Sequence, residues 1–144
     1  MMNEQELQSQ IVALTRAFGW HRPMQTPCGQ LIPIAEAHAL IELAQNAPLP
    51  QHELVVRLNL AKSTVSRLVE KLVKRGWVEK RRSSADGRVW ELVLTEVGEV
   101  KSAELATARQ AKLAAVWQHI PQSEQPAVVQ ALSTLVEAIR ESDR

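Results

Sequence analysis

A single cysteine, Cys28, occurs in 144 residues. That excludes an internal disulfide framework and fits a reducing cytosol. No apolar run approaches the about 18 residues that a membrane span needs, so no membrane partner is expected. The opening MMNEQELQSQ is polar and acidic, unlike a secretory leader, and points to a cytoplasmic protein. Repeats and low-complexity linkers are absent, and this length suits one domain over residues 1–144 with a real core. The four histidines, at 21, 38, 52 and 119, lack a close ligand spacing such as H-x-x-x-H, so neither a metal nor another cofactor is expected. There is no nucleophile elbow, phosphate loop, HExxH helix or plausible carboxylate pair, which argues against an enzyme.

Net charge is also nearly absent, at +1, but the average conceals a segregation. Between Arg57 and Arg88 lie ten of the chain's 17 Lys and Arg and only three of its 16 Asp and Glu. That segment carries +7 and the remainder −6. Such a split suits a compact patch for a polyanion on an acidic body. A solvated helix face is the competing explanation, and charge alone does not choose between them.

Hydrophobic spacing supplies the organisation. Leu7, Ile11, Leu14 and Phe18 form one helical stripe from Asn3 to Gly19. A loop, HRPMQTPCGQ, follows. A second helix, Ile34 to Gln45, places Ile34, Ala37, Ile41 and Ala44 on one face with Leu40 and Leu43 beside it, until NAPLP breaks it. A short helix from Gln51 to Arg57 leads through a tight break at Leu58-Asn59-Leu60 into the clearest helix, Lys62 to Arg75. Val65, Leu68, Val69, Leu72 and Val73 make its buried stripe, and Gly76 stands where a C-cap glycine belongs. WVEKRRSS and RVWELVL then flank Asp86-Gly87 as two strands joined by a tight two-residue turn. That turn length sets Arg82 opposite Glu91, with Trp90 anchoring the hairpin to the core. Thr95 caps an alanine-rich helix to about Ile120, and Val128, Leu132, Leu135, Val136 and Ile139 give a last amphipathic helix. The terminal helices each present an apolar stripe that suits a homodimer interface.

A short helix, a tight turn, a longer helix with a basic and hydroxyl-bearing face, and a hairpin together make a winged helix-turn-helix. The fold class is therefore mainly α with a small β-hairpin (α+β). Dimerisation helices at 3–47 and 95–142 flank a DNA-binding lobe at 48–94. An α-helix fits the major groove of double-stranded DNA, where base edges present distinguishable donors and acceptors. Lys62, Ser63, Thr64, Ser66 and Arg67 supply the short hydroxyls and long cations such a helix needs. Lys71, Lys74 and Arg75 lie farther along and suit the phosphate backbone. A winged helix can also serve as a protein-interaction module, since fold does not fix function. Cations on both helix and hairpin argue for DNA.

The stretch PQHELVVRLNLAKSTVSRLVEKLVKRGWVEKRRSSADGRVWELVLTEVG resembles the MarR family of bacterial transcription regulators. The likeness rests on the helix-turn-helix, on Asp86 and Arg88 of the wing, and on Leu94, Thr95 and Gly98, which open the next helix. The resemblance implies a homodimer joined through its terminal helices, acting as a repressor on a pseudo-palindromic operator and released by a small aromatic effector. It implies that Arg88 enters the minor groove; the two-residue turn, by setting Arg82 opposite Glu91, leaves Arg81 freer to meet phosphate. Asp86 and Gly87 are read as the wing turn. Trp20, His38 and Trp117 are candidates for an effector pocket, against ordinary core packing, and Trp77 is structural. Cys28 is a candidate redox sensor, against a plain loop cysteine, because some relatives sense peroxide near the first helix. The chain departs from the pattern at Ala61, where relatives often cap the helix with Ser or Thr. Losing such a cap costs about 1 kcal/mol, and Ser63 is the alternative cap.

Overall fold

The computed structural model describes residues 2–144; Met1, the first residue of the expected domain, lies outside them. The elements run α1 (Glu4–Phe18), α2 (Ile34–Asn46), β1 (Leu49–Pro50), α3 (Gln51–Leu58), α4 (Lys62–Lys74), β2 (Val78–Arg82), β3 (Trp90–Leu94), α5 (Glu96–Gln118) and α6 (Gln125–Ser142). The fold is mainly helical with one small antiparallel sheet, a winged helix-turn-helix between flanking helices.

Local chemistry explains where the helices start and stop. Asn3 Oδ1 accepts from the amides of Gln5 and Glu6, while Glu6 Oε2 accepts from the Asn3 amide. This reciprocal box satisfies amides that the first turn leaves open. Gly19, in a left-handed conformation, ends α1. Asn59 makes the left-handed break between α3 and α4, a conformation Asn tolerates better than most residues. At the end of α4, Gly76 turns left-handed, so Trp77 N donates to Leu72 O and Gly76 N to Val73 O. Those two bonds occupy carbonyls that would otherwise lack partners.

Two compact units result, one up to Arg109 and one from Gln110. In the first, Leu40 and Leu43 of α2, Leu54 of α3, Val65, Leu68, Val69 and Leu72 of α4, and Leu92 of β3 form a buried cluster. α2 thus contributes to the core of the winged helix. Its buried face differs from the expected one, since Ala44 is exposed while Leu40 and Leu43 sit at the centre. The larger leucines bury more apolar area, and the helix turns accordingly. α1 buries none of its residues, and Leu7 and Leu14 are exposed. In the second unit, Gln125 Nε2 donates to the carbonyls of Trp117 and Ile120, closing the end of α5. α6 also buries no residue, and Leu132, Val136 and Ile139 stand open.

The sheet order is β1-β3-β2. β1 was not foreseen. Two residues carry no periodicity, yet Leu49 is buried opposite Leu92. The hairpin also corrects the expected register. Arg82 pairs with Trp90 and Arg81 with Glu91, one residue off the pairing a two-residue turn imposes. The connection runs through residues 83–89, and Gly87 does not adopt positive φ. Ser83 Oγ accepts from the amides of Ala85 and Asp86, and Val89 N donates to Asp86 O. Asp86 therefore opens a four-residue turn whose central residues are Gly87 and Arg88. Trp90 does not anchor the core, being 43% exposed.

The start of α5 is fixed against the end of α4. Thr95 Oγ accepts from Gly98 N and donates to Gly76 O, while Thr95 N donates to Trp77 O. A Cβ at Gly98 would overlap the Trp77 carbonyl oxygen. Gly98→Ala is therefore expected to destabilise the fold by roughly 3 kcal/mol, as overpacking against backbone does, read as a lowered midpoint in thermal or urea unfolding.

Candidate nucleic-acid interface

Val65, Leu68, Val69 and Leu72 form the buried stripe of α4, whereas Val73, expected in it, is exposed; the opposite face points outward. Lys62, Ser63, Arg67 and Lys71 are exposed, with Thr64 and Ser66 half-buried beside them. Helix α4 begins at Lys62, and Ala61 supplies no capping side chain. Ser63 does not cap in its place, because it already lies inside the first turn. The first-turn amides are left uncapped by any side chain, a feature that favours anions.

The cations of the segment are not equivalent. Arg75, expected on the phosphate backbone, instead forks onto Glu36: Nε lies 2.7 Å from Oε1 and Nη2 3.2 Å from Oε2. The Glu36 bond, above all, raises the pKa of Arg75, and its guanidinium also sits 5.0 Å from the Trp77 ring centroid. Arg82 lies 4.1 Å over the Trp90 ring and donates through Nη1 to Gly87 O. It is occupied, though not by Glu91 as expected. Arg81 faces Glu91 and lines an open cleft of about 640 Å³ with Leu43, Pro48, Val93 and Glu99. Arg88 stands at the tip of the wing with its side chain 92% exposed. Asp86 Oδ1 accepts from Arg88 N at 3.1 Å and from Nε at 3.2 Å, so the acid both holds the turn and aims the guanidinium.

The remaining candidates are dispersed. Trp20 packs against Phe18 with ring centroids 4.7 Å apart and the planes tilted by 54°. His38 lies on α2, where partial covering of its ring, then the charge of Arg109, lowers its pKa against the opposing pull of Glu42. Trp117 belongs to the second unit and is exposed. None of the three lines the 640 Å³ cleft. Cys28 is half-buried in a loop turn, its Sγ 3.1 Å from Thr26 Oγ. No cluster of three or more His, Cys, Asp or Glu suited to a metal occurs among the described residues. No helix among them is long and apolar enough to cross a membrane.

Glu36 and Trp90 were not foreseen as the partners of Arg75 and Arg82. A carboxylate inside the apolar run IAEAHALIELA was the available signal for Glu36. Its partner lies 39 residues away, beyond any local pattern.

Residues 32–89 match the model of the MarR family. The transcriptional repressor MprA of Escherichia coli (strain K12) is 26% identical over 104 residues, which cover 72% of this chain and 59% of that protein. The chain thus matches less than two thirds of the length of the curated relatives. Among solved structures, Streptococcus pneumoniae FabT in complex with DNA superposes with a TM-score of 0.83 at 17% identity, over 96% of this chain and 99% of that one. PcaV from Streptomyces coelicolor, in complex with its natural ligand, gives a TM-score of 0.64 at 21% identity over 94% and 90%. At these identities the structural likeness shows the fold.

The wing turn has a pH signature. The Arg88 backbone amide first, and its guanidinium second, hold the Asp86 pKa below the ordinary aspartate range. A depressed carboxyl pKa means that the link is intact above the ordinary value and is lost only as pH falls through the lowered one. An NMR titration of the Asp86 carboxyl carbon is expected to give a midpoint below that of a free aspartate. Arg88→Ala should return it only partway, because the amide remains. An ordinary midpoint in the unaltered protein would mean that the turn is open in solution.

Proposed function

Through residues 32–89 this chain belongs to the MarR family, a family of transcription regulators and not of enzymes, and on that premise we propose that it is a sequence-specific DNA-binding repressor. It acts as a cytoplasmic homodimer on a pseudo-palindromic operator, each protomer presenting α4 to the major groove and its wing to the adjacent minor groove. The observation that carries this reading is the outward face of α4, with Lys62, Ser63, Thr64, Ser66, Arg67 and Lys71, together with an exposed Arg88 aimed by Asp86. The DNA-binding lobe is residues 48–94, with α2 packed into its core. The helices within 3–47 and 95–142 that leave apolar faces open, α1 and α6, supply the dimer interface. Two-fold symmetry then pairs two half-sites about one helical turn apart. Repression is supported by the repressor MprA among the relatives. A small effector, aromatic as the family resemblance suggests, releases the DNA; that such a fold takes a ligand is supported by PcaV in complex with its natural ligand, and an open cleft lies beside Arg81.

The test is binding to duplexes selected from a random pool by the protein itself, across salt concentrations. Affinity is expected to fall steeply with salt, with a slope of several phosphate contacts. Arg88→Ala should bind roughly tenfold more weakly with dimer and fold unchanged. Absence of binding even at about 50 mM salt sinks the reading, and unchanged affinity of the variant removes Arg88 from the interface.

A further inference from the structure

The strongest feature outside the outward face of α4 is an ion pair between the buried Glu36 and the partly exposed Arg75. Glu36 is 2% exposed, and both carboxylate oxygens are taken by one guanidinium. Burying a carboxylate is costly even when it is paired, and an apolar residue of similar volume would commonly be as stable or more so. A bidentate fork, however, fixes direction as a leucine contact cannot. Its location makes direction matter. Arg75 is the residue that ends α4, and its guanidinium and Lys101 Nζ lie 5.0 and 5.6 Å from the same Trp77 ring. Four elements therefore meet there: α2 through Glu36, α4 through Arg75, the chain entering β2 through Trp77, and α5 through Lys101. The opposite end of α4 has no side-chain cap. A helix of this length acts as a lever of about 20 Å, so a tilt of a few degrees at the pinned end moves the first turn by roughly 1–2 Å.

We propose that the Glu36–Arg75 fork is a positioning device that sets the angle of α4 on DNA without touching DNA itself. The inference rests on the DNA-binding reading above. It gives Arg75, which the charge pattern places among the phosphate-binding cations, the task of holding the buried Glu36 carboxylate from a side chain that stays 44% exposed.

The test compares the full chain with Glu36→Gln, which keeps one acceptor oxygen, and with the double variant Glu36→Leu/Arg75→Met, which removes the fork and leaves no unpaired charge. Affinity and salt slope are read on a duplex selected by the wild-type protein, at a temperature well below the unfolding midpoint of each variant. The double variant is expected to bind about tenfold more weakly, at near wild-type stability and with the wild-type salt slope. Glu36→Gln should fall between it and wild type. Wild-type affinity in a folded double variant overturns the inference, because the pair is then merely structural. Tighter binding by Glu36→Gln together with a slope reduced by about one in the double variant also overturns it, because Arg75 is then a phosphate ligand. Should the double variant not fold, Glu36→Gln decides alone: weaker binding at an unchanged slope supports the inference and unchanged affinity overturns it. Wild-type protein that binds no DNA overturns the parent reading as well, whereas wild-type binding matched by the variants overturns this one alone.

Discussion

Where α4 ends, the backbone of Gly76 and Trp77 is gripped by Thr95, and the register of the whole wing follows from that grip. Gly76 turns left-handed, at a φ of 78°, which sends the chain back toward the core. The Trp77 carbonyl then accepts from Thr95 N. The next pair along is Val78 with Leu94, and the ladder continues without a slip to Arg82 with Trp90. Gly98 is required at the same place, because only a hydrogen leaves room for the Trp77 carbonyl. One junction thus caps α4, starts α5 and aligns the sheet.

Because register is fixed at the base of the hairpin, the tip has to adapt. A tight Asp-Gly turn would shift every pair by one residue and move each side chain to the other face of the sheet. Leu92, which is fully buried, would then leave the core, a loss of roughly 2 kcal/mol or more in apolar burial. No turn preference competes with that. Residues 83–89 instead form a wider loop held by Ser83 Oγ and by Asp86. Arg82 consequently falls on the Trp90 ring, and Arg81 faces Glu91.

The same contrast separates what was legible in the sequence from what was not. Helices α1 and α4 were readable because spacing, Asn3, Gly19 and Gly76 are all local signals, and their ends fall within a residue or two of expectation. The outward face of α4 was readable for the same reason, since a helical period assigns faces without any partner. β1 was not, because two residues have no period and Leu49 is recruited by Leu92 from across the fold. Nor was the fate of individual arginines legible. Arg75 and Arg82 look as available as Arg88 until Glu36 and Trp90 are brought to them by tertiary packing.

That allocation alters what the +7 of residues 57–88 means. A net charge describes attraction at a distance, which draws a polyanion toward the molecule and is screened within about 10 Å at ordinary ionic strength. Contact requires cations that are both free and oriented. Arg57 lies 3.5 Å from Glu42, Arg75 is held by Glu36, and Arg82 covers Trp90, so three of the ten cations are engaged within the protein itself; under the proposed function the contact chemistry falls to the outward cations of α4 and to the wing. Asp86 is then less paradoxical than an acid inside a basic segment first suggests. It subtracts one charge from a field with a large surplus, and in return it removes rotational freedom from a long side chain before any partner arrives. Orientation settled in advance is not charged against binding later. An isolated arginine at a seven-residue loop tip would have the charge of Arg88 without its direction.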